Sequence, residues 1–198
     1  INHIAFNTPD IERDTKRFLE KGCDLVFNAT VNGKTIENYL DTRKHGDVMI
    51  SLRPPADEWE IAWRQNNRAH PLVKDWKFSG VGVVVENCEL ATEYFLNLGF
   101  TLKKEVHESL DLGVKFCHLT IGSLIFELLE PTSNDSVYKE FFNNRGEGIA
   151  DISLIVEDLA SETDGLVGKG ANLLFSNDDC SIFDTRKEGN AIIKLLQT

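Results

Sequence analysis

The sequence predicts an α+β protein built from three copies of one β-α-β-β-β unit, called a module below. Two alignments within the chain predict this: residues 1–27 match residues 149–175 without a gap, and DTRKHGDVMISL (41–52) matches DTRKEGNAIIKL (184–195). Similarity that returns at a long interval along one chain indicates duplicated structural units. The segment 78–130 has the same order of predicted elements, although its sequence differs more.

The first module opens with a strand in INHIAFNT, where apolar and β-branched residues dominate. Asp10 is expected to cap a helix whose apolar residues recur at helical spacing, and Gly22 is expected to end it. Strands in DLVFNATV, ENYLDT and VMISLRP follow, separated by the turn signals NGK and KHG.

The middle module repeats this order. The strand FSGVGVVV precedes a helix predicted from Glu89 to Leu98, which Gly99 ends. Three strands are then predicted in FTLKKEV, GVKFCHLT and LIFELLEP. The third module begins in GEGIADISLIV, where a glycine-flanked turn leads into a β-branched strand.

Residues 55–77 are interpreted as a linker between the first two modules. This segment contains all three tryptophans, and Pro55 and Asp57 predict the start of a short helix. Trp59 and Trp63 lie four residues apart on that helix, a spacing that favours a small satellite core over a ligand platform.

Charge and composition exclude several classes of partner. A formal net charge of −11 leaves no basic stripe for phosphates, so no nucleic-acid partner is expected. No apolar run approaches the roughly 20 residues of a membrane span, so no membrane partner is expected. The four cysteines are widely spaced and form no C-x-x-C, which is typical of reduced thiols in a cytoplasmic protein.

The segment FELLEPTSNDSVYKEFFNNRGEGI (126–149) resembles the pattern of methylmalonyl-CoA epimerase: I-E-L-L-E-P, a spaced S-x-D-S, a short helix, and R-G-E-G-L before H-H-I. KGANLLF and AIIKLLQ continue the resemblance, which covers residues 78–198. That enzyme belongs to the vicinal oxygen chelate (glyoxalase) superfamily. The resemblance implies that modules pair into half-open, glyoxalase-like barrels. It also implies a divalent metal, held by the first and last strands of each module, that polarises a carbonyl or thioester.

The four metal-ligand positions of that family are poorly kept in this sequence. The first histidine falls on Gly80, the first glutamate is kept as Glu127, the second histidine falls on Asp151, and the last glutamate falls on Lys194. A lysine beside a divalent metal is electrostatically unfavourable unless it is neutralised. The resemblance therefore implies a degenerate metal site in which a divalent metal is possible but no cofactor is firmly expected, and Glu127 and Asp151 are weak ligand candidates.

The first module keeps one of these ligands. His3 falls on the histidine position, which makes it a third weak metal candidate, whereas Ser51 falls on the glutamate position. Residues 1–54 are thus expected to be the second half of a first glyoxalase-like domain, and residues 78–198 a complete two-module domain. An opening module in front of Ile1 is the favoured interpretation, and completion of the first domain in a homodimer is the alternative.

Two functional hypotheses follow. In the first, Asp151 and Lys194 form an ion pair in the vacated metal site, and the barrel cavity binds a small molecule or an acyl thioester. In the second, Glu127, Asp151 and Lys194 form a metal-free catalytic cluster of an isomerase, epimerase or lyase. Lys194 would then stabilise an enolate next to a carbonyl or thioester while a carboxylate moves the proton.

Further residues are expected to contact the ligand. His118 and Gly80 are predicted to line the cavity as substrate-binding residues. A patch of Lys103, Lys104 and Lys115 is a candidate site for the phosphates of coenzyme A, since it supplies local positive charge in an acidic protein.

Overall fold

The computed structural model describes residues 3–67, 75–189 and 191–198. The chain divides into two compact units, Asn2–Lys74 and Asp75–Thr198. The predicted α+β class is confirmed, and each of the three modules has the predicted β-α-β-β-β order.

The Asn2–Lys74 unit contains module 1 and one further helix. Its elements are β1 (His3–Asn7), α1 (Ile11–Glu20), β2 (Asp24–Val31), β3 (Lys34–Asp41), β4 (Met49–Arg53) and α2 (Glu58–Asn67). The four strands form one sheet in the order β1-β4-β3-β2, in which β1 runs parallel to β4.

The ends of α1 and the start of α2 are where the sequence predicts them. The Asp10 carboxylate accepts a hydrogen bond from the backbone N–H of Arg13 at 2.9 Å, and Gly22 follows the last turn with φ of +89°. The helix α2 begins just after Asp57, whose carboxylate accepts from the N–H of Glu60 at 2.7 Å. The predicted packing of the Trp59 and Trp63 side chains lies outside what the structure describes.

The Asp75–Thr198 unit contains modules 2 and 3. Module 2 consists of β5 (Lys77–Val84), α3 (Cys88–Leu98), β6 (Thr101–Ser109), β7 (Val114–Ile121) and β8 (Leu124–Pro131). After α4 (Lys139–Arg145), module 3 consists of β9 (Gly148–Val156), α5 (Leu159–Gly168), β10 (Asn172–Ser176), β11 (Cys180–Asp184), α6 (Arg186–Gly189) and β12 (Ile192–Gln197).

The two modules join through their first strands. Strand β5 pairs antiparallel with β9, so the eight strands form one sheet in the order β10-β11-β12-β9-β5-β8-β7-β6. Within each module the first strand runs parallel to the last, β5 to β8 and β9 to β12. The first and last strands of both modules therefore lie side by side at the centre of the sheet.

Apolar packing fixes the helices against this sheet. Phe95 of α3 lies with its ring centroid 4.8 Å from that of Phe126 on β8, and Phe100 lies 5.2 Å from the same ring. A second cluster joins Tyr138, beside α4, to Ile182 and Ile192 of module 3. Burial of such side chains contributes roughly 1.5–3 kcal/mol each, which makes the centre of the sheet a rigid base.

The repeated DTRK motif builds the same turn in modules 1 and 3. The Arg43 guanidinium donates two hydrogen bonds to Asp41, at 2.9 and 2.8 Å, and Arg186 donates two to Asp184, both at 2.8 Å. The threonine between them closes the loop in both copies by donating to the carbonyl of Val48 or Ala191 at 2.6 Å. The motif is therefore explained by turn structure.

Among the described residues, no helix combines the length and the apolar character needed to cross a membrane.

Candidate ligand-binding site

A cavity of about 60 Å³ lies against the central strands of the Asp75–Thr198 unit. The residues that line it come from β5, β7, β8, β9 and β12: Ser79, Gly80, Val81, His118, Ile125, Glu127, Ser153, Lys194 and Leu196. Four of the five residues predicted for the site of this unit thus line one cavity: Gly80, His118, Glu127 and Lys194.

An ion pair between Glu127 and Lys194 forms the charged part of the cavity wall. The Lys194 Nζ lies 2.5 Å from Glu127 Oε2, and both side chains are almost completely buried. The hypothesis of a direct ion pair between Lys194 and Asp151 is wrong, since within the described residues Lys194 pairs with Glu127. A carboxylate and an ammonium at this distance neutralise each other where water is largely excluded.

Each partner holds the other in its charged form. Burial by itself would raise the pKa of Glu127, but Lys194 and His118 together lower that pKa to about 2. Burial would likewise lower the pKa of Lys194, yet the Glu127 and Asp151 carboxylates raise it above its ordinary value. At neutral pH, Glu127 is therefore a weak base and Lys194 a weak acid, and both are poor proton-transfer groups.

His118 completes a row of three polar side chains, in which Glu127 lies between Lys194 and His118. Its Nε2 lies 3.0 Å from Glu127 Oε1, and the two residues are directly paired between β7 and β8. The two oxygens of Glu127 therefore face different partners, His118 on one side and Lys194 on the other. The His118 side chain is 25% exposed, so it lies at the mouth of the cavity.

Asp151 does not line the cavity but lies fully buried in a hydrogen-bond network that shares Ser153 with the cavity wall. Its carboxylate accepts hydrogen bonds from the Tyr138 hydroxyl at 2.7 Å, the Gly82 N–H at 3.0 Å and the Ser153 hydroxyl at 3.2 Å. Burial raises the pKa of Asp151, whereas Lys194 opposes that shift and Glu127 adds to it. Three donors to one carboxylate stabilise this buried group and connect the start of α4 to β5 and β9.

Gly82 is the residue that makes room for this carboxylate. Gly82 and Asp151 face each other in the β5–β9 pair, and a Cβ atom at position 82 would overlap the Asp151 carboxylate. Sequence reasoning missed both Gly82 and Tyr138. The one available signal was a second glycine in the strand interior GVG, which often marks a close approach of another group.

Close contact with a neighbouring strand also explains why position 80 is a glycine. A Cβ at this position would overlap the backbone carbonyl oxygen of Ile125, the residue that pairs with Gly80 on β8. A histidine at position 80 would therefore require the β5–β8 pair to move apart. Gly80 contributes backbone alone to the cavity wall.

The register shows that the two modules present equivalent positions to the cavity. Glu127 pairs with Gly82, two residues after Gly80, and Lys194 pairs with Ser153, two residues after Asp151. Glu127 and Lys194 are thus counterparts of opposite charge, so that a cation stands at one expected ligand position. Within the described residues, no group of three or more His, Cys, Asp or Glu side chains is placed to hold a metal ion. At this cavity the Lys194 ammonium beside Glu127 does not fit a divalent metal, because its charge repels the ion.

His3 lies in the other unit, on the edge strand β1. Its ring centroid is 5.4 Å from that of Tyr39, and Ala5, two residues further, pairs with Ser51 on β4. Ser51 is buried and donates a hydrogen bond to Glu37 at 2.9 Å. Module 1 therefore presents a histidine and a serine where module 2 presents Gly80 and Glu127.

The predicted basic patch is divided between two faces of the sheet. Lys115 Nζ lies 3.4 Å from Glu89 and 3.9 Å from Glu130, so that its charge is compensated. Lys104 Nζ instead lies 4.9 Å from the centroid of the Phe116 ring. Lys104 pairs in register with His118, which places it on the face that carries the cavity.

Comparison with known proteins identifies the fold. No family model and no curated protein matches the sequence. Among solved structures, methylmalonyl-CoA epimerase from Mycobacterium tuberculosis is 22% identical, with a TM-score of 0.53 over 66% of this chain and 93% of that one. A methylmalonyl-CoA epimerase in complex with methylmalonyl-CoA and NH4+ is 18% identical, with a TM-score of 0.55 over 62% and 94% of the two chains.

A 4-hydroxymandelate synthase mutant from Streptomyces coelicolor matches the whole of this chain. It is 14% identical, with a TM-score of 0.70, and 69% of its own chain is covered. The resemblance read from the sequence is confirmed at the level of fold: the chain has the glyoxalase-like fold of the vicinal oxygen chelate superfamily. At these identities the similarity concerns the fold, and function has to be argued from the site.

Proposed function

We propose that the Asp75–Thr198 unit binds a small carbonyl-bearing organic molecule, such as an acyl thioester, in the central cavity without a divalent metal. The observation that carries this proposal is the Glu127–Lys194 ion pair at 2.5 Å on the cavity wall. Lys194 has three N–H donors, and Glu127 accepts from one of them. The remaining donors favour a carbonyl oxygen of a ligand.

The cavity combines this charge with apolar walls. Val81, Ile125 and Leu196 contribute apolar surface near the ammonium group. Small-molecule sites typically combine an apolar lining with a few fixed polar groups that orient the ligand. Because the ion pair already neutralises the two buried charges, a neutral carbonyl or thioester group is favoured over a second cation or a free metal ion.

A metal-free isomerase, epimerase or lyase is the second candidate. It is supported by the position of Lys194, which is suited to stabilise an enolate oxygen, and by the presence of His118 at the same cavity. Two observations weigh against it: the pKa of Glu127 is lowered to about 2, and Asp151 is enclosed behind Gly82. Neither carboxylate is well placed to accept a proton from a ligand.

The two candidates are separated by one set of experiments on the full chain. Binding is measured by calorimetry with a panel of acyl-CoA thioesters and simple aryl ketones, for the wild type and for the double variant Glu127→Gln/Lys194→Met. We expect saturable binding that the double variant weakens about tenfold, the usual scale for one lost hydrogen bond to a charged group. Equal affinity of both proteins for every bound compound would exclude Lys194 as the ligand contact.

Solvent-deuterium exchange into the compounds that bind tests catalysis directly. Binding without exchange is the result expected for a binding module. Exchange that disappears in Lys194→Met would favour the isomerase, and the His118→Gln variant would then test whether His118 moves the proton.

We further propose that residues 1–54 are the second half of a first glyoxalase-like domain, with residues 55–77 as a linker. The equivalence of β1 and β4 with β5 and β8 supports this. A cytoplasmic location is supported by the four buried free thiols, which suit a reducing compartment.

A further inference from the structure

A row of side chains leads from the cavity to the outer strand β6. Cys117 and Leu119 of β7 are fully buried, and Cys117 contacts Thr92 on α3 at 3.0 Å, so these side chains face the helix. Because side chains alternate along a strand, Phe116 and His118 face the opposite side. In register, Lys104 pairs with His118 and His107 with Phe116, so all four share the cavity face.

The Phe116 ring contacts the Lys104 ammonium, the positively charged group of this row. Lys104 Nζ lies 4.9 Å from the Phe116 ring centroid, and the His107 ring packs against the same ring at 3.8 Å. An ammonium over an aromatic face is attracted by the ring while its N–H donors remain available. Among the described residues, Lys104 has no carboxylate within 4.0 Å that would neutralise it.

Of the acidic residues of β6, Glu108 belongs to the other face, and Glu105, next to Lys104, is exposed and forms no ion pair with it among the described residues. Glu108 pairs in register with Lys115, whose Nζ lies 3.4 Å from Glu89 of α3. The carboxylate within the row itself is Glu127, which is already paired with Lys194. Lys104, at the exposed end of the row, therefore carries a positive charge with no ion-pair partner in the described part of the chain.

The spacing of the strands gives the size of what this row can hold. Glu127 on β8, His118 on β7 and Lys104 on β6 lie directly across from one another. Two steps between neighbouring strands span about 10 Å. A ligand that contacts Lys194 at one end reaches Lys104 only if the ligand and its two hydrogen bonds together span a comparable distance.

We propose that Lys104, positioned by Phe116, binds an anionic group, a carboxylate or a phosphate, at the far end of the ligand whose carbonyl contacts Lys194. The proposal rests on the proposed function, since it places a second contact on the same ligand. It names the ligand class as a compact organic anion with its carbonyl group and its charge at opposite ends, which together with the two hydrogen bonds spans about 10 Å.

Three probes that share one aryl ketone test this assignment: 4-acetylbenzoate, 4-acetylphenyl phosphate and the uncharged methyl 4-acetylbenzoate. Their dissociation constants are measured for the wild-type chain and for Lys104→Ala, Phe116→Leu and Lys115→Ala. The last is the matched control, because Lys115 lies on the opposite face and is paired with Glu89 and Glu130.

We expect the wild type to bind at least one anion about tenfold more tightly than the ester, because a charge-assisted hydrogen bond is added. Lys104→Ala should abolish that preference, Phe116→Leu should reduce it, and Lys115→Ala should leave it unchanged. A preference for one anion alone identifies the group as carboxylate or phosphate.

Equal affinity of the wild type for ester and anions would overturn the assignment, as would equal effects of Lys104→Ala and Lys115→Ala. A different result would contradict the proposed function: the ester binds to the wild type and to Glu127→Gln/Lys194→Met with the same dissociation constant. Absence of binding for all three probes would overturn both.

Discussion

Lys194 and Glu127 come from counterpart positions of two modules and meet as an ion pair with 2.5 Å between Nζ and Oε2. The chain thus holds a cation and an anion of its own at the two positions where the sequence resemblance led us to expect two metal ligands of the same kind. This pair connects β8 to β12 across the centre of the sheet. Under the proposed function, the geometry of this pair decides which ligand groups can reach Lys194.

Removing one charge of this pair should be much more harmful than removing both. Glu127→Gln leaves the Lys194 ammonium buried without its partner, so we expect the free energy of unfolding to fall by about 3–5 kcal/mol. Adding Lys194→Met should recover most of that loss. Urea denaturation of the wild type, both single variants and the double variant measures the coupling, and additive losses would contradict a direct ion pair.

The free energy of unfolding should change with pH as the Glu127 carboxylate is protonated. Its pKa is lowered from 4.5 to about 2 in the folded protein, so its stabilising contribution is present above pH 4.5 and is lost as the pH falls toward 2. Asp151 acts in the opposite sense, because its pKa is raised.

The difference in unfolding free energy between the wild type and Glu127→Gln isolates the contribution of Glu127 from that of Asp151. This difference should be constant near neutral pH and shrink between pH 4.5 and 2. Glu93→Gln, on the exposed face of α3, is the control and should show no such change. A difference that is the same at every pH would mean that Glu127 is not held ionised by Lys194.

Gly82→Ala should destabilise the protein, because the added Cβ would overlap the Asp151 carboxylate. We expect a loss of about 1–3 kcal/mol, the cost of disturbing a buried hydrogen-bonded group. Gly165→Ala is a matched control on α5, where a Cβ meets open space. It should instead stabilise the protein by about 0.5–1 kcal/mol. Thermal denaturation distinguishes the two signs, and equal effects would contradict the enclosed position of Asp151.

Arg186→Ala should cost more stability than Arg43→Ala, although both belong to the same DTRK motif. Arg186 also pairs with Glu140 at 2.8 Å, and its side chain is 25% exposed against 45% for Arg43. We expect a loss of about 1–2 kcal/mol for Arg186 and a smaller loss for the exposed Arg43. If the two variants lose equal stability in chemical denaturation, the contact with Glu140 contributes nothing.

The sequence predicted the modules well because their signals are local. The cap at Asp10, the stop at Gly22 and the alternation of apolar residues act within a few positions of one another. The internal repeat then extended those local predictions from the first module to the third. The resemblance to methylmalonyl-CoA epimerase, carried over position by position, gave Gly80, Glu127, Asp151 and Lys194 as the candidate site residues.

The pairing inside the site could not be read in the same way. Whether Lys194 contacts Glu127 or Asp151 depends on the β5–β9 register and on where Tyr138 directs its hydroxyl, and both are long-range features. The space at Gly82 that admits the Asp151 carboxylate is likewise set by another strand. The sequence of one strand does not specify which residues of another strand its side chains will contact.

The most direct test of the account is a divalent-metal titration of the wild type and of Lys194→Glu. Replacing the ammonium by a carboxylate places Glu127, residue 194 and His118 around the cavity, a ligand set suited to Zn²⁺. We predict that calorimetry detects stoichiometric Zn²⁺ binding in Lys194→Glu and none at this cavity in the wild type, and that His118→Ala weakens binding in the variant. Stoichiometric binding in the wild type that is lost in Glu127→Gln would contradict the claim that Lys194 takes the place of a metal.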